Sequence, residues 1–279
     1  MLARLNQLIL LNYSLFGIPW ILIATILASR TMQGMLTKDP QFWALLILAF
    51  TAARAVGMAL NRLIDVEIDA KNPRTYRRPL PLKLVTRKEV KAVIILGSFV
   101  FVFSCYFLNM LCFYLSPIVL FQLFAYSYTK RFTSFCHFFL GSIHFFAPIF
   151  AWIAITGSLS IEPLLLGFAL WLLIAGNDMI YALQDLSFDA REGLKSIPVS
   201  LGVEGTWWIV RLVHLCAFAL LIALGVVAKL ESLYYLGVGI LFLLYSYFHL
   251  NRVNPEKMFV VCNTWGGLIL LIFTLGSLL

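Results

Sequence analysis

The chain has 279 residues, of which 62% are hydrophobic and only 12% are charged. Soluble domains are about half apolar and about a quarter charged, so this composition excludes an ordinary soluble protein and indicates that lipid is the solvent. The net charge of +8 comes from basic residues confined to particular loops, and we therefore expect no nucleic-acid partner.

Nine apolar stretches follow one another along the sequence, each close to the roughly 20 residues that a helix needs to cross a bilayer. They lie at residues 9–29, 41–60, 91–108, 110–128, 137–157, 163–183, 207–228, 232–250 and 258–278. Their close spacing leaves no room for a soluble insert, so we predict one all-α integral membrane domain over residues 1–279. The first stretch lacks a small-residue cleavage site and is interpreted as a retained span.

The basic residues predict the orientation in the membrane. Arg4 and the loops after spans two, four, six and eight together contain 17 of the 21 Lys and Arg residues. Arg30, Lys38 and Lys229 lie in loops on the other side, and Arg54 lies within a span. Because positive residues accumulate on the cytoplasmic side, we expect the N-terminus and these four loops in the cytoplasm, in a bacterial plasma membrane.

The cysteines and histidines carry no metal-site pattern. The five cysteines include no CxxC pair and are typical of small buried side chains. His137 and His144 lie on span five, without a Cys, Asp or Glu at ligand spacing. We expect both histidines to pack or to form hydrogen bonds.

Polar residues interrupt the apolar pattern at the ends of spans two and six. Asn61, Asp65 and Asp69 are four residues apart and form one polar ridge if the helix continues. The second ridge consists of Asn177, Tyr181, Asp185 and Asp189, with Asp178 beside it. The aspartates of the two ridges correspond at a separation of 120 residues. This repeat predicts two similar four-helix halves plus one further helix, with the acidic ends facing one another.

Paired carboxylates at this spacing indicate a bound cation. Like charges at i, i+4 destabilise a helix, so a compensating positive charge is expected. Mg²⁺ prefers oxygen ligands and is usually held by one or two carboxylates together with substrate phosphates. We therefore interpret Asp65, Asp69, Asp185 and Asp189 as ligands of Mg²⁺ and a diphosphate. The alternatives are solvated acidic helix ends, or Ca²⁺ binding without chemistry.

Basic residues follow the acidic ones closely. Prolines in the segment 72–81 break the helix, so Arg74 and Arg78 lie on a loop where they can bind phosphate. From other loops, Lys130, Arg131 and Lys195 can reach the same diphosphate. The alternative is that these basic residues reflect topology alone.

Arg54 is unusual because an arginine inside a span is costly. It precedes Asn61 by seven residues and therefore lies on the same helix face, roughly 10 Å deeper. We predict that it binds the carboxylate of an acceptor beneath the diphosphate. The alternative is an internal partner such as Asp178.

These motifs resemble the two signatures of the UbiA family of membrane prenyltransferases. The matching residues are Asn61-x3-Asp65-x3-Asp69 with Arg74-Thr75 and Arg77-Arg78-Pro79-Leu80, and Tyr181-x3-Asp185-x3-Asp189 with Gly193-Leu194-Lys195-Ser196-Ile197-Pro198. Residues 126–133 are similar to the loop after the family's fourth helix, and Leu15-Phe16-Gly17-Ile18-Pro19 to its first helix. Two departures, Arg62 and Asn12, stand where related chains often carry acidic residues.

The resemblance implies nine transmembrane helices around a central cavity, with the aspartates binding Mg²⁺ and Asn61 supporting the first pair. It also implies that Lys130 and Arg131 bind the diphosphate. Similar family members prenylate 4-hydroxybenzoate or a related hydroxynaphthoate on the way to ubiquinone or menaquinone.

We therefore predict transfer of a polyprenyl group from its diphosphate to an aromatic hydroxy acid, most simply 4-hydroxybenzoate. Asp178 or Tyr181 is the candidate for proton removal or acceptor orientation, and Asn177 is a candidate substrate-binding residue. Within the same class, the acceptor could instead be 1,4-dihydroxy-6-naphthoate, haem, chlorophyllide, homogentisate or a glycerol lipid. From other classes, the alternatives are a polar-solute transporter with two related halves and intramembrane charge, and a structural membrane subunit, which would leave the paired aspartates unexplained.

Overall fold

A computed structural model of the chain describes residues 7–8, 16–32 and 39–278. All regular structure within these residues is helical, and a 3₁₀ turn, Leu183–Asp185, joins α7 to α8. The helices are α1 (Ile18–Thr31), α2 (Pro40–Ile64), α3 (Val66–Lys71), α4 (Arg87–Leu108), α5 (Met110–Thr129), α6 (Cys136–Thr156), α7 (Ile161–Ala182), α8 (Leu186–Arg191), α9 (Ile197–Val227), α10 (Ser232–Asn251) and α11 (Pro255–Gly276).

Eight of the described helical segments are long and apolar enough to cross a membrane, which confirms the all-helical membrane fold. They are α2, α4, α5, α6, α7 continued to Arg191, α9, α10 and α11. The apolar helix α1 overlaps the first predicted span, but its 14 residues are fewer than a membrane crossing needs. Residues 9–15, where we predicted that span to begin, lie outside the described residues, and they include Asn12 and Leu15. Arg4 and Lys38 also lie outside the described residues.

The helices form two compact units. The first unit contains α2 to α5, and the second contains α1 together with α6 to α11. Although α1 comes first in the chain, it packs against α6, α7 and α11 of the second unit. The compact units therefore do not follow chain order, which the sequence repeat did not predict.

Polar caps set the beginnings of several helices. The Asp39 side chain accepts a hydrogen bond from the Gln41 backbone N–H at 2.9 Å, and Pro40 occupies the first turn of α2. Thr86 and Glu89 form a reciprocal capping box at the start of α4. Helix α4 therefore begins four residues before the predicted span, because its first turn is polar and lacks the apolar pattern.

Helix α9 is ten residues longer at its N-terminus than predicted. The Ser196 side chain caps it, and the segment before residue 207 bends at Gly202, where φ is 67° and ψ is −174°. This conformation is essentially restricted to glycine. The added turns contain the polar residues Ser200 and Glu204, so their sequence does not resemble a membrane-spanning segment.

Large apolar side chains point away from the protein along the spans, as expected for surfaces solvated by lipid. Phe99, Phe121 and Leu243 are each about two-thirds exposed. In the most apolar stretch of α4, only 22% of the residues are buried inside the protein, so most of this helix surface faces outward. In water, an apolar surface of this extent would promote aggregation.

Candidate active site

The first polar ridge spans a bend rather than a continuous helix. Helix α2 ends at Ile64, Asp65 has φ −95° and ψ 6°, and α3 begins at Val66. The prediction of a continuing helix is therefore wrong at Asp65. The i, i+4 spacing survives, because the Asp65 N–H donates to the Asn61 carbonyl at 2.9 Å and the Asp69 N–H donates to the Asp65 carbonyl at 2.8 Å.

Both carboxylates of the first ridge are buried and hydrogen-bonded. Asp65 is 1% exposed and Asp69 is 3% exposed. The Asn61 amide donates to Asp65 Oδ2 at 2.9 Å. Arg78 Nη1 donates to both oxygens of Asp69, at 2.7 and 2.8 Å. The buried Asp65 carboxylate thus has an amide among its partners, and the buried Asp69 carboxylate has a guanidinium.

The loop that carries Arg74 and Arg78 is held in place by its own turns and by an apolar cluster. The Arg74 N–H donates to Asn72 Oδ1 at 2.8 Å, and the Thr75 hydroxyl donates to the Asp69 carbonyl at 3.2 Å. Beneath the loop lies a buried cluster of Leu8, Ala59, Leu80, Val85 and Val90. The predicted break in the helix is confirmed, and the loop is well packed.

Two arginines lie along the inner face of α2. Arg54 has a buried Nε without a hydrogen-bond partner among the described residues, and Tyr126 lies within electrostatic range. Arg62 is 5% exposed, interacts electrostatically with Asp69 and Arg78, and has unpartnered Nε and Nη1 atoms in the described part of the chain. Sequence reasoning counted Arg62 among the loop cations and missed its burial. The seven-residue spacing to Asp69 was the available signal.

The second polar ridge has the same bend as the first. Helix α7 ends at Ala182, and after the 3₁₀ turn Asp185 has φ −101° and ψ 1°, close to the angles of Asp65. Asp189 follows on α8. Both carboxylates are half-buried, whereas their counterparts in the first ridge are buried. The repeat seen in the sequence is therefore a repeat of backbone geometry, with different degrees of burial.

Two loops of the second unit bring predicted site residues together beside Asp189. The Asp189 carbonyl accepts a hydrogen bond from the Leu194 N–H at 2.9 Å, next to Gly193 with φ 69°. The Lys195 N–H then donates to the Lys130 carbonyl at 2.7 Å. The Lys195 ammonium donates to a carbonyl of the same loop at 3.3 Å. Arg131, the next residue after Lys130, is exposed.

The remaining predicted residues lie on α7. Asn177 is buried, and its amide donates to Tyr245 Oη at 3.1 Å and to Asn263 Oδ1 at 2.9 Å, which joins α7 to α10 and α11. The Tyr181 ring packs against Phe259, with 4.7 Å between centroids. Asp178 hydrogen-bonds to His137 at 2.7 Å. The prediction that His137 forms a hydrogen bond is confirmed.

The donor set fits Mg²⁺. Within neither unit does the described part of the chain gather three or more His, Cys, Asp or Glu side chains as a metal site. Each polar ridge instead has two carboxylates, and Mg²⁺ is usually bound by one or two carboxylates with waters and substrate phosphates. A carboxylate has about four lone-pair sites, so Asp69 keeps ligand capacity beyond its two contacts with Arg78.

The model of the UbiA prenyltransferase family matches residues 19–271 of this chain. The chain belongs to the UbiA prenyltransferase family. This UbiA protein is 30% identical over 255 residues to the 4-hydroxybenzoate octaprenyltransferase of Francisella tularensis subsp. novicida (strain U112). The match covers 90% of this chain and 88% of the relative.

Solved structures of UbiA homologs have the same fold. The apo structure of a homolog from Aeropyrum pernix K1 matches with a TM-score of 0.86 and 27% identity, covering 96% of this chain and 99% of that one. A homolog from Archaeoglobus fulgidus bound to DMAPP and Mg²⁺ matches with a TM-score of 0.71 over 98% of each chain. At 16% identity, the latter shows the fold alone.

Family membership establishes the UbiA protein as an integral membrane prenyltransferase. The family resemblance found in the paired signatures is thereby confirmed. The transporter alternative, which rested on the repeat and on charge within the membrane, is set aside.

Proposed function

We propose that this UbiA family enzyme transfers a polyprenyl group from its diphosphate to the aromatic ring of 4-hydroxybenzoate, with Mg²⁺ at the paired aspartates. The observation that carries the proposal is the repeated bend: Asp65 and Asp185 share nearly the same backbone angles, and each is followed four residues later by another aspartate. The similarity to a relative named 4-hydroxybenzoate octaprenyltransferase supports the acceptor.

Asp65, Asp69, Asp185 and Asp189 hold Mg²⁺ in this proposal, and Asn61 orients Asp65 through its amide. When bound, Mg²⁺ withdraws negative charge from the diphosphate and makes it a better leaving group. The Archaeoglobus fulgidus homolog, whose structure was solved with DMAPP and Mg²⁺ bound, supports a magnesium–prenyl diphosphate site in this fold.

The loop cations bind the diphosphate oxygens. Arg78 lies against Asp69, so its remaining N–H donors are close to the carboxylate assigned to the metal. The hydrogen bond between the Lys195 and Lys130 backbones brings a second pair of cations to one place. Arg74 and Arg131 are exposed on the same two loops and complete the set. Such donors stabilise the negative charge that develops on the leaving group.

The acceptor lies deeper, with its carboxylate on Arg54 and its ring near Asp178 and Tyr181. A buried Arg54 Nε without a partner among the described residues is suited to a carboxylate ligand. The prenyl C–O bond breaks, the diphosphate leaves with the electron pair, and a ring carbon forms the new C–C bond. The same ring carbon then loses its proton to Asp178 or Tyr181. Asn177 supports this part of the site through its hydrogen bonds to Tyr245 and Asn263.

Substitution of the aspartates tests the metal assignment. Asp65→Asn and Asp185→Asn should each lower prenyl transfer by about 100-fold or more, because each removes a charge that binds the metal and leaving group. Asp39→Asn is the matched control, since asparagine also caps α2 and Asp39 lies outside both ridges. Transfer close to that of the parent in either ridge variant would refute the assignment.

Product analysis tests the acceptor. Purified enzyme in detergent receives a polyprenyl diphosphate, Mg²⁺ and equal amounts of 4-hydroxybenzoate and 1,4-dihydroxy-6-naphthoate. Mass spectrometry should show prenylated 4-hydroxybenzoate as the main product. A prenylated naphthoate would retain the enzyme class and replace the proposed acceptor.

A further inference from the structure

The contact between Asp178 and His137 joins two neighbouring helices of the second unit. His137 lies in the first turn of α6, and Asp178 lies near the end of α7. His137 Nδ1 and Asp178 Oδ2 are 2.7 Å apart, a short charge-assisted distance. The His137 side chain is 3% exposed, whereas that of Asp178 is 23% exposed. The histidine is thus enclosed, and the carboxylate reaches from it toward an accessible space.

The packing of α6 against α7 fixes this contact. A Cβ at Gly141, one turn beyond His137, would lie 2.4 Å from the Trp171 carbonyl oxygen, so glycine is what allows this close approach. The Trp171 indole N–H donates to the Phe138 carbonyl at 2.7 Å across the same seam. These two contacts, at Phe138 and Gly141 on α6 and at Trp171 on α7, therefore set the separation at which His137 meets Asp178.

The two partners use their polar atoms unequally. His137 Nε2 is buried and has no hydrogen-bond partner among the described residues, so the ring meets Asp178 through Nδ1. Asp178 Oδ2 accepts from the ring, while Oδ1 has no hydrogen bond within the described residues of the second unit. With Asp178 ionised, Nδ1 must carry the hydrogen. The result is a carboxylate held through one oxygen, with the other oxygen available.

A purely structural pair is a poor explanation for this arrangement. A buried imidazole with one unpartnered nitrogen costs free energy that an apolar side chain of similar size would avoid. In a membrane span, ionisable residues usually mark sites of function. A buried histidine holding a partly accessible carboxylate reverses the more common arrangement, in which a buried carboxylate orients a histidine.

We propose that His137 is a positioning residue that aims Asp178 Oδ1 at the acceptor ring, so that Asp178 takes the proton released when the ring is prenylated. This inference rests on the proposed function, and it selects Asp178 over Tyr181 as the base. The C–C bond forms as the diphosphate leaves with its electron pair. The ring C–H bond then breaks, its electrons restore aromaticity, and the proton forms an O–H bond with Asp178.

Two amide variants of His137 separate positioning from packing. The Asn amide nitrogen superimposes on Nδ1, so His137→Asn keeps a donor to Asp178. The Gln amide superimposes on Nε2, so His137→Gln loses that donor while it preserves polarity and bulk. We expect kcat to fall about tenfold or more in His137→Gln, with KM for the prenyl diphosphate within twofold of the parent, and most of the loss to be recovered in His137→Asn.

A deuterium isotope effect gives a readout that packing alone does not change. With 4-hydroxybenzoate deuterated at both ring carbons ortho to the hydroxyl, His137→Gln should show a larger isotope effect on kcat than the parent, because proton removal has become slow. Asp178→Asn should show the same loss of kcat, and the double variant His137→Gln/Asp178→Asn should be no slower than Asp178→Asn.

The proposal is overturned if His137→Gln keeps at least half of the parent kcat, if His137→Asn is as slow as His137→Gln, or if the two losses add. An unchanged isotope effect in a slow His137→Gln variant would also overturn it.

Parent enzyme is assayed first with each acceptor. Failure of the parent to prenylate 4-hydroxybenzoate would reject that acceptor, and the His137 comparison would then use the acceptor that is prenylated.

Discussion

At the scale of single residues, the difference in burial between the two Asp pairs has a direct energetic meaning. Asp65 and Asp69 are almost completely buried, and buried carboxylates must be compensated by hydrogen bonds or positive charge. Arg78 supplies that charge at Asp69. Arg77, its neighbour in the chain, contacts the Tyr76 ring and hydroxyl instead, and both residues are exposed.

Arg78→Gln should therefore destabilise the protein, because it removes the guanidinium that donates to both oxygens of the buried Asp69 carboxylate. We expect a loss of about 1–3 kcal/mol in the free energy of unfolding. Mg²⁺ should raise the melting temperature of Arg78→Gln more than that of the parent, since a bound cation replaces the missing charge. Thermal unfolding in detergent, with and without Mg²⁺, measures both effects. Arg77→Gln is the control and should behave like the parent.

At the scale of elements, the backbone bends at the first aspartate of each polar ridge. Helix α2 stops one residue before Asp65, and α7 passes into a 3₁₀ turn that ends at Asp185. A third bend, at Gly202 in α9, follows the loop that carries Lys195. Short segments after such bends can turn side chains toward a site that a straight helix would not reach.

Gly202→Ala should cost about 1–3 kcal/mol in the free energy of unfolding, because φ 67° with ψ −174° is strained for any residue with a Cβ. An added Cβ at Gly202 meets no atom within 4 Å, so the effect isolates backbone strain. Gly239→Ala is the matched control, since its Cβ also meets nothing and its φ is helical. Equal melting temperatures for the two variants would contradict this account of the bend.

At the scale of the whole molecule, lipid replaces water as the solvent for the outer surfaces of the spans, and charge distribution sets orientation. The loops with both Asp ridges carry most of the basic residues. We predict that these loops lie in the cytoplasm, so that the diphosphate head group of the proposed donor and the proposed aromatic acid reach the site from the same side.

Cysteines added one at a time to the parent protein test this orientation. Arg191 and Glu231 are both exposed and lie near opposite ends of α9, Arg191 just before its N-terminus and Glu231 just after its C-terminus. With a membrane-impermeant maleimide, Glu231→Cys should be labelled in intact cells, and Arg191→Cys only after permeabilisation. The parent protein, with its own five cysteines, gives the background. Labelling of Arg191→Cys in intact cells would reverse the proposed topology.

The spacing within the first Asp ridge was predictable because it depends on a short stretch of chain. Asn61, Asp65 and Asp69 keep their i, i+4 relation through the bend, and the prolines after Asn72 ended the helix as predicted. The start of α9 was predicted poorly, because the turn before its bend is stabilised by a cap and by packing, and its sequence is too polar to resemble a span. Burial of Arg62 likewise depends on neighbours in three dimensions, among them Asp69 and Arg78.

By itself, the sequence determined the membrane class, the helical spans, the repeat and the two pairs of aspartates, since hydropathy and helical periodicity act within about 20 residues of chain. The tertiary structure alone decided that α1 joins the second unit, that Arg78 pairs with Asp69, and that His137 holds Asp178. Which unit a helix joins, and which side chains pair, depend on which surfaces come into contact. Close approach at a residue such as Gly141, set by the shape of the opposing helix, has no signature in local periodicity.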